Sequence, residues 1–331
     1  EADDMANRKN PDATETRATA IKSTFMVDGD TCAATLHVPE DASARQLPAI
    51  LMVGGWGSVQ NALTVSFVNR FVAAGYAVME FDFQGWGLSG GLPRQDINPW
   101  RRVKAANAAL AHLKSRACVD AHRIVLWGTS FGGGHVVDLA AEHPDLHGAI
   151  IQVPMLDGVA TVCAVPLLRL ARFVGYGIAD LLKPGAAILI PTVTRQGEFG
   201  SMDRDNAWDA LQLGLAAHDG KKYVNRVTAR SLLTMGFYRP CGRLKEIKIP
   251  MLIVGATRDT VAPFDEGQIR GIANPHLQVI EIDADHFDPY FEPCFSGAIK
   301  YQLDFLAKVL PALNERTGTM QTKLHPVSLA P

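Results

Sequence analysis

A long apolar run, an excess of basic charge and closely spaced cysteines are all missing from this 331-residue sequence. The most apolar long segment, Pro166 to Leu182, is interrupted by Arg169 and Arg172 and is too short to span a bilayer comfortably, so no membrane partner is expected. Thirty-two basic residues stand against thirty-four acidic ones, and no basic stripe with interleaved aromatics occurs, which argues against nucleic acid. The five cysteines, Cys32, Cys118, Cys163, Cys241 and Cys294, are odd in number and lack the short spacings of zinc sites. They read as reduced thiols, and neither metal nor cofactor is called for. No apolar stretch follows a basic one near the amino end, and the carboxyl end, SLAP, is no peroxisomal tripeptide. A reducing, cytoplasmic setting is the expectation.

What is present is a composition, 47% hydrophobic and 20% charged, suited to one α/β domain with an insertion. Within it the stretch Arg123 to Gly134, RIVLWGTSFGGG, reads as a buried strand breaking sharply into a helix, with Ser130 on the break. Gly128 and Gly132 flank the serine at the two positions where so tight a turn leaves no room for a Cβ. The hydroxyl is thereby held at the amino end of a helix, where N–H groups and the helix dipole favour developing negative charge. This is a nucleophile elbow.

The rest of the chain falls into place around it. Residues 1–20 are expected as a flexible arm or surface strap. Thr24 to Asp28 and Cys32 to Val38 bracket a hairpin turn at Gly29-Asp30. Strands then alternate with helices: Ala49 to Val53, helix Asn61 to Ala74, strand Tyr76 to Phe83, a helix opened by Asn98-Pro99, the elbow, and strand Gly148 to Val153. From 154 to 245 the alternation stops, with helices expected at Pro166 to Leu182, Asp205 to Ala217 and Asn225 to Thr234 and a weak strand at Ala187 to Pro191, and this reads as an inserted cap. It resumes over 246–312 with strands Ile249 to Ala256 and Leu277 to Ile282, and 313–331 is expected as a flexible tail. The fold class is α/β, a doubly wound, mostly parallel eight-stranded sheet with a helical cap.

A serine hydroxyl is a poor nucleophile at neutral pH and needs a base, which in turn needs an orienting carboxylate. In a doubly wound sheet both belong in loops after later strands, in the order serine, acid, histidine. Asp259 follows the strand Ile249 to Ala256 in GATRDTVAP, and His286 follows the last strand in IDADHFDPY. Asp157 is the competing acid; Asp82 lies after the wrong strand, and Asp265 looks like a helix cap. His135 reads as packing, whereas Asp283, Asp285 and Asp288 crowd His286 and could tune it. Oxyanion donors are expected from the backbone of Phe131 and, in the loop Gly54-Gly55-Trp56-Gly57, of Trp56.

Taken together, GGWGSVQN, FDFQGWGLSGG, GTSFGGGH, GATRDTVAP and DADHFDPY resemble the loops of the α/β-hydrolase fold, over about residues 21 to 312. Among its branches the pattern is most similar to the dienelactone-hydrolase-like and Xaa-Pro-dipeptidyl-peptidase-like serine hydrolases. In place of the histidine usual in the oxyanion loop stands Gly54, and Gln84 replaces a common arginine, so those loops must be braced in another way. The resemblance implies a serine hydrolase, without cofactor, acting on a small hydrophobic ester, lactone or thioester. Acyl transfer by the same triad and a silent ligand-binding protein remain as alternatives. Gly55, Tyr176, Phe199 and Tyr238 are candidate substrate contacts, Arg195 and Arg239 read as solvated, and a homodimer is left open.

Overall fold

A computed structural model describes residues 8–11, 18–40, 46–204, 206–217 and 223–312. The chain opens with a hairpin of β1 (Ala18–Val27) and β2 (Asp30–Pro39). Its turn is Asp28-Gly29, both at positive φ, one residue earlier than the Gly29-Asp30 turn expected, because Val27 pairs directly with Asp30. An Asp-Gly pair is the favoured chemistry for a two-residue turn of that hand. β3 (Leu47–Val53) follows, then α1 (Val65–Ala73), β4 (Ala77–Phe81), α2 (Pro99–Lys114), β5 (Val119–Thr129), α3 (Phe131–Glu142) and β6 (Gly148–Gln152). Asn61 has φ 57°, outside the right-handed helical region, so α1 starts four residues later than the apolar spacing predicts. Asn98 caps α2, accepting from Arg101 N at 3.1 Å, with Pro99 at the first helical position.

Between β6 and the next long strand lie α4 (Gly158–Cys163), α5 (Leu167–Leu182), the short β7 (Leu189–Ile190), α6 (Ala207–Ala217), β8 (Val227–Thr228) and two 3₁₀ segments, Ala229–Phe237 and Pro240–Glu246. β9 (Met251–Ala256), α7 (Glu266–Arg270), β10 (Leu277–Ile282) and α8 (Cys294–Val309) complete the chain. The eight long strands form one sheet in the order β1-β2-β4-β3-β5-β6-β9-β10, antiparallel at β1-β2 and β2-β4 and parallel elsewhere. Every residue of β3, β4, β6 and β9 is buried, as strands covered on both faces require. Ala49, Leu51 and Val53 of β3 face α2 and α3, and Ile50 and Met52 face α1 and α8.

Two expectations need correction. Asn225 to Thr234 is not one helix: the β-branched pair Val227-Thr228 bonds to Leu189–Ile190, and only then does the chain coil into a 3₁₀ turn. The amino-terminal strap is docked where it is described, since Lys9 and Glu292 exchange backbone hydrogen bonds and β1 begins at Ala18, inside the range given to the arm. The rest of the arm up to residue 17, Asp205 and the tail from 313 lie outside the described residues.

The stretch between β6 and β9 is held together at Asp180, whose side chain is wholly buried. Its carboxylate accepts from Ile188 N at 2.5 Å, Arg230 N at 3.0 Å and Arg230 Nε at 2.7 Å, joining the end of α5 to the residue before β7 and to the start of the 3₁₀ segment after β8. Asp180→Ala would strand the Arg230 guanidinium and two backbone donors, and should destabilise the protein by about 3 kcal/mol. A urea unfolding midpoint indistinguishable from wild type would show that this clasp carries no stability.

Candidate active site

Ser130 sits on the break between β5 and α3 with φ 54° and ψ −126°, a conformation that side-chain-bearing residues rarely hold. It survives because its neighbours are glycines. A Cβ on Gly128 would lie 2.6 Å from the Gly132 carbonyl oxygen, and one on Gly132 would lie 2.2 Å from that of Val53. Backbone bonds pin the turn: Ser130 N donates to Gln152 O at 3.0 Å, and Ser130 O accepts from Gly133 N and Met155 N, both at 2.9 Å.

The loops after β9 and β10 bring Asp259 and His286 to this serine. His286 Nε2 lies 3.0 Å from Ser130 Oγ, and Nδ1 lies 2.6 Å from Asp259 Oδ2. The other carboxylate oxygen of Asp259 accepts from Val261 N at 2.8 Å and Ala262 N at 2.7 Å, so the acid is oriented from both sides. All three side chains are buried. A hydroxyl, an imidazole and a carboxylate in this chain can move a proton off the serine oxygen and stabilise the imidazolium that results.

The competing acids are occupied elsewhere. Asp157 caps α4 and pairs with Arg239 at 2.7 Å, and Arg239 itself stays exposed, as expected. Asp82 accepts from Gln60 N, Gln60 Nε2 and Leu88 N, and burial pulls its carboxyl up against those bonds. Asp265 caps α7. His135 is fully buried, bonded through Nδ1 to the Tyr238 hydroxyl at 3.0 Å, and held well below its ordinary pKa by burial and the nearby Arg102 charge. Tyr238 is therefore no substrate contact: its hydroxyl also donates to Asp138, and the ring is packed under α3. Tyr176 is half-exposed and stacks on Phe199 with centroids 5.0 Å apart, while Phe199 lines an outer, charge-rimmed opening and not the space over Ser130. Gly55 does approach the serine, where a Cβ would stand 3.2 Å from that of Ser130.

A model of the family described as serine aminopeptidase, S33, matches residues 45–271. The chain belongs to the S33 family. The quorum-quenching protein AidA of Acinetobacter baumannii is 30% identical to it over 85% of this chain and 92% of its own length. A thiohydrolase of Eupenicillium brefeldianum is 24% identical over 73% of this chain and 80% of its own. Among solved structures, the α/β hydrolase GrgF from Penicillium sp. sh18 superposes with a TM-score of 0.67 at 21% identity, covering 88% of this chain and 99% of the other, a likeness of fold. The S33 protein is thus a hydrolase with the α/β-hydrolase fold, and the family description names neither of the two finer branches suggested by the loop motifs. Among the described residues no helix is long and apolar enough to cross a membrane.

Two residues of this S33 chain escaped the sequence reading. Arg102 lies on the buried stripe of α2 with Ala105, Ala106, Ala109 and Leu110, and its Nη1 donates to the Gly55 carbonyl at 2.8 Å. Its guanidinium stacks 4.2 Å from the Phe83 ring, and burial lowers it to about 9 against the pull of Asp96, which leaves it charged at neutral pH. Here is the brace made otherwise that Gly54 and Gln84 called for; Gln84 itself ties its loop to Val27 O and Asp30. An arginine in the apolar stripe of an amphipathic helix was the available signal. Arg8, the second, inserts from the strap between Asp285 and Asp288, so the two carboxylates beside His286 share one positive charge from the amino-terminal segment.

Arg102→Met should lower kcat by about tenfold to a hundredfold on a short ester with little change in KM, since a loop and not a substrate contact is loosened. Equal losses in Arg102→Lys would point to guanidinium geometry, and a KM effect alone would show that Arg102 does not position the loop. Arg8→Ala should destabilise the fold by less than the ~3–5 kcal/mol of a fully buried pair, because Asp285 is a quarter exposed. Burial raises the Asp285 carboxyl but the Arg8 charge and hydrogen bonds outweigh it, so the folded value lies below the ordinary one. That stability is present above the ordinary carboxylate value of about 4 and is lost as pH falls through the lowered one. Melting temperatures of wild type and Arg8→Ala should therefore converge in acid, and an undiminished gap there would exclude this ion pair as its source.

Proposed function

We propose that this S33 protein is a serine hydrolase of small carboxylic esters, lactones or thioesters, with Ser130 as nucleophile, His286 as general base and Asp259 as its orienting acid. The observation that carries the reading is the continuous hydrogen-bond chain from Asp259 through His286 to Ser130 Oγ. His286 Nε2 takes the hydroxyl proton as Oγ attacks the acyl carbon, and the carbonyl π electrons move to oxygen. The oxyanion rests on the N–H groups of Trp56 and Phe131; that of Phe131 opens a helix and so has no intrahelical acceptor. Collapse expels the alcohol or thiol with the proton from His286, leaving an acyl-serine. Water, deprotonated by the same imidazole, releases the acid.

The family description names an aminopeptidase, but the space over Ser130 favours a neutral acyl group over a peptide amino terminus. Asp203, the carboxylate among its described lining residues, is engaged by Arg169 and is not free to bind an ammonium. Trp56, whose indole donates to Ser201 Oγ at 3.1 Å, and Met155, Val165 and Met235 make the remainder of the wall mostly apolar. The relative named a thiohydrolase supports thioesters within the class.

Incubation with a fluorophosphonate should add one label to the intact mass, and Ser130→Ala should abolish it. Turnover of a short ester should fall by about 10⁴ or more in Ser130→Ala and His286→Ala, and by a similar order in Asp259→Asn. Near-full activity in Asp259→Asn with loss in Asp157→Asn would overturn the acid assignment, and a well-folded protein that takes no label would overturn the serine mechanism. Identifying the products separates hydrolysis from transfer to an alcohol or amine.

A further inference from the structure

The space directly over Ser130 is small, about 70 Å³. The spaces that adjoin it are several times larger, so a substrate with its acyl carbon at Ser130 finds most of its room in an adjoining compartment. Two adjoin. One, of about 550 Å³, is rimmed by charge, with Arg169, Arg172, Glu198, Asp203 and Arg204 beside the apolar Leu168 and Phe199. The other, of about 480 Å³, lies between α4, α5 and the 3₁₀ segment Ala229–Phe237, within the range of roughly 300–1,000 Å³ typical of small-molecule sites.

The second compartment is apolar. Val162, Leu170, Val174, Leu233 and Phe237 line it alone, and Thr161, Val165, Phe173, Ser201, Leu232 and Met235 border both it and the space over Ser130. The residues shared by these two spaces carry no charge, whereas those common to the charged opening and the serine space are Arg169, Asp203 and Arg204. A hydrocarbon chain leaving the acyl carbon passes an uncharged border in only one of these directions.

We propose that the apolar compartment receives the acyl tail of the substrate, so that the protein acts on esters or thioesters of medium- to long-chain acyl groups, with the leaving alcohol or thiol toward the charged opening. The proposal rests on the serine-hydrolase reading for its orientation. Each methylene buried is worth roughly a factor of four in kcat/KM, provided it is buried in the transition state as fully as in an apolar solvent.

The test is a series of p-nitrophenyl acetate, butanoate, hexanoate, octanoate and decanoate on wild type, Val162→Trp and Val174→Asp. Both substituted residues line the apolar compartment and neither borders the space over Ser130. Wild-type kcat/KM should climb with chain length, and the octanoate-to-acetate ratio should fall by about tenfold or more in Val162→Trp, whose indole takes up several methylenes' worth of space. Val174, at the half-open outer rim, tolerates a carboxylate without threatening the fold, and Val174→Asp should depress decanoate most. Binding supplies a readout independent of turnover: Ser130→Ala should bind decanoate more tightly than butanoate by calorimetry, and the added Val162→Trp should remove the difference. A flat chain-length profile in a protein that takes the phosphonate label overturns the tail site and leaves the serine mechanism standing. Where no label is taken, the mechanism falls, and equal binding of decanoate and butanoate overturns the tail site as well.

Discussion

The site depends on one close approach of backbone to backbone. Where β5 turns into α3, the carbonyls of Val53 and Gly132 come within the distance a Cβ would need, and only glycine at 128 and 132 lets the strand end, the helix start and the loop after β3 share that space. Ser130 is held at φ 54° by this packing and by three backbone hydrogen bonds rather than by its own preference. The same crowding sets the loop after β3 against Ser130, where a Cβ on Gly55 would stand 3.2 Å from that of the serine. The strain of the turn and the placement of the loop have a single origin.

That origin also explains what could be read from the sequence. The elbow, the strands on either side of it and the loops bearing Asp259 and His286 are local patterns: a glycine at minus two and plus two, an apolar run ending in a polar loop, an order of residues along a sheet. Topology then brings the loops together, because adjacent parallel strands β5, β6, β9 and β10 open their carboxyl ends on the same edge. The surroundings of Tyr238 and Tyr176 are not legible in the sequence, because an aromatic outside the sheet can face a cavity, a helix or solvent with equal ease, and nothing in its neighbours along the chain decides among them. Asn225 to Thr234 has helical composition, yet its β-branched start pairs with β7, a partner nearly forty residues away. Arg102 was passed over for a related reason: spacing reveals that it lies on the buried stripe of α2, but not that a carbonyl lies opposite.

The support of the site is drawn from distant parts of the chain. Arg8 comes from the amino-terminal segment to the loop that bears His286, Arg102 from a crossover helix to the loop after β3, and Asp180 fastens the irregular stretch between β6 and β9 from which most of the wall over Ser130 is built. None of these three touches the reacting atoms. They let loops that lack regular structure behave as rigid parts, the condition under which backbone donors stabilise a transient charge without reorganising.

Arg102 has a further consequence. It is a cation enclosed by aromatic rings and backbone, out of reach of counter-ions, and mobile salt cannot collect around it as it does around a surface arginine such as the one at 258. Its electric field at the loop after β3 is therefore screened much less than that of a surface charge. A cation placed in this way biases what that loop holds with far less dependence on the ionic medium than an exposed arginine would show.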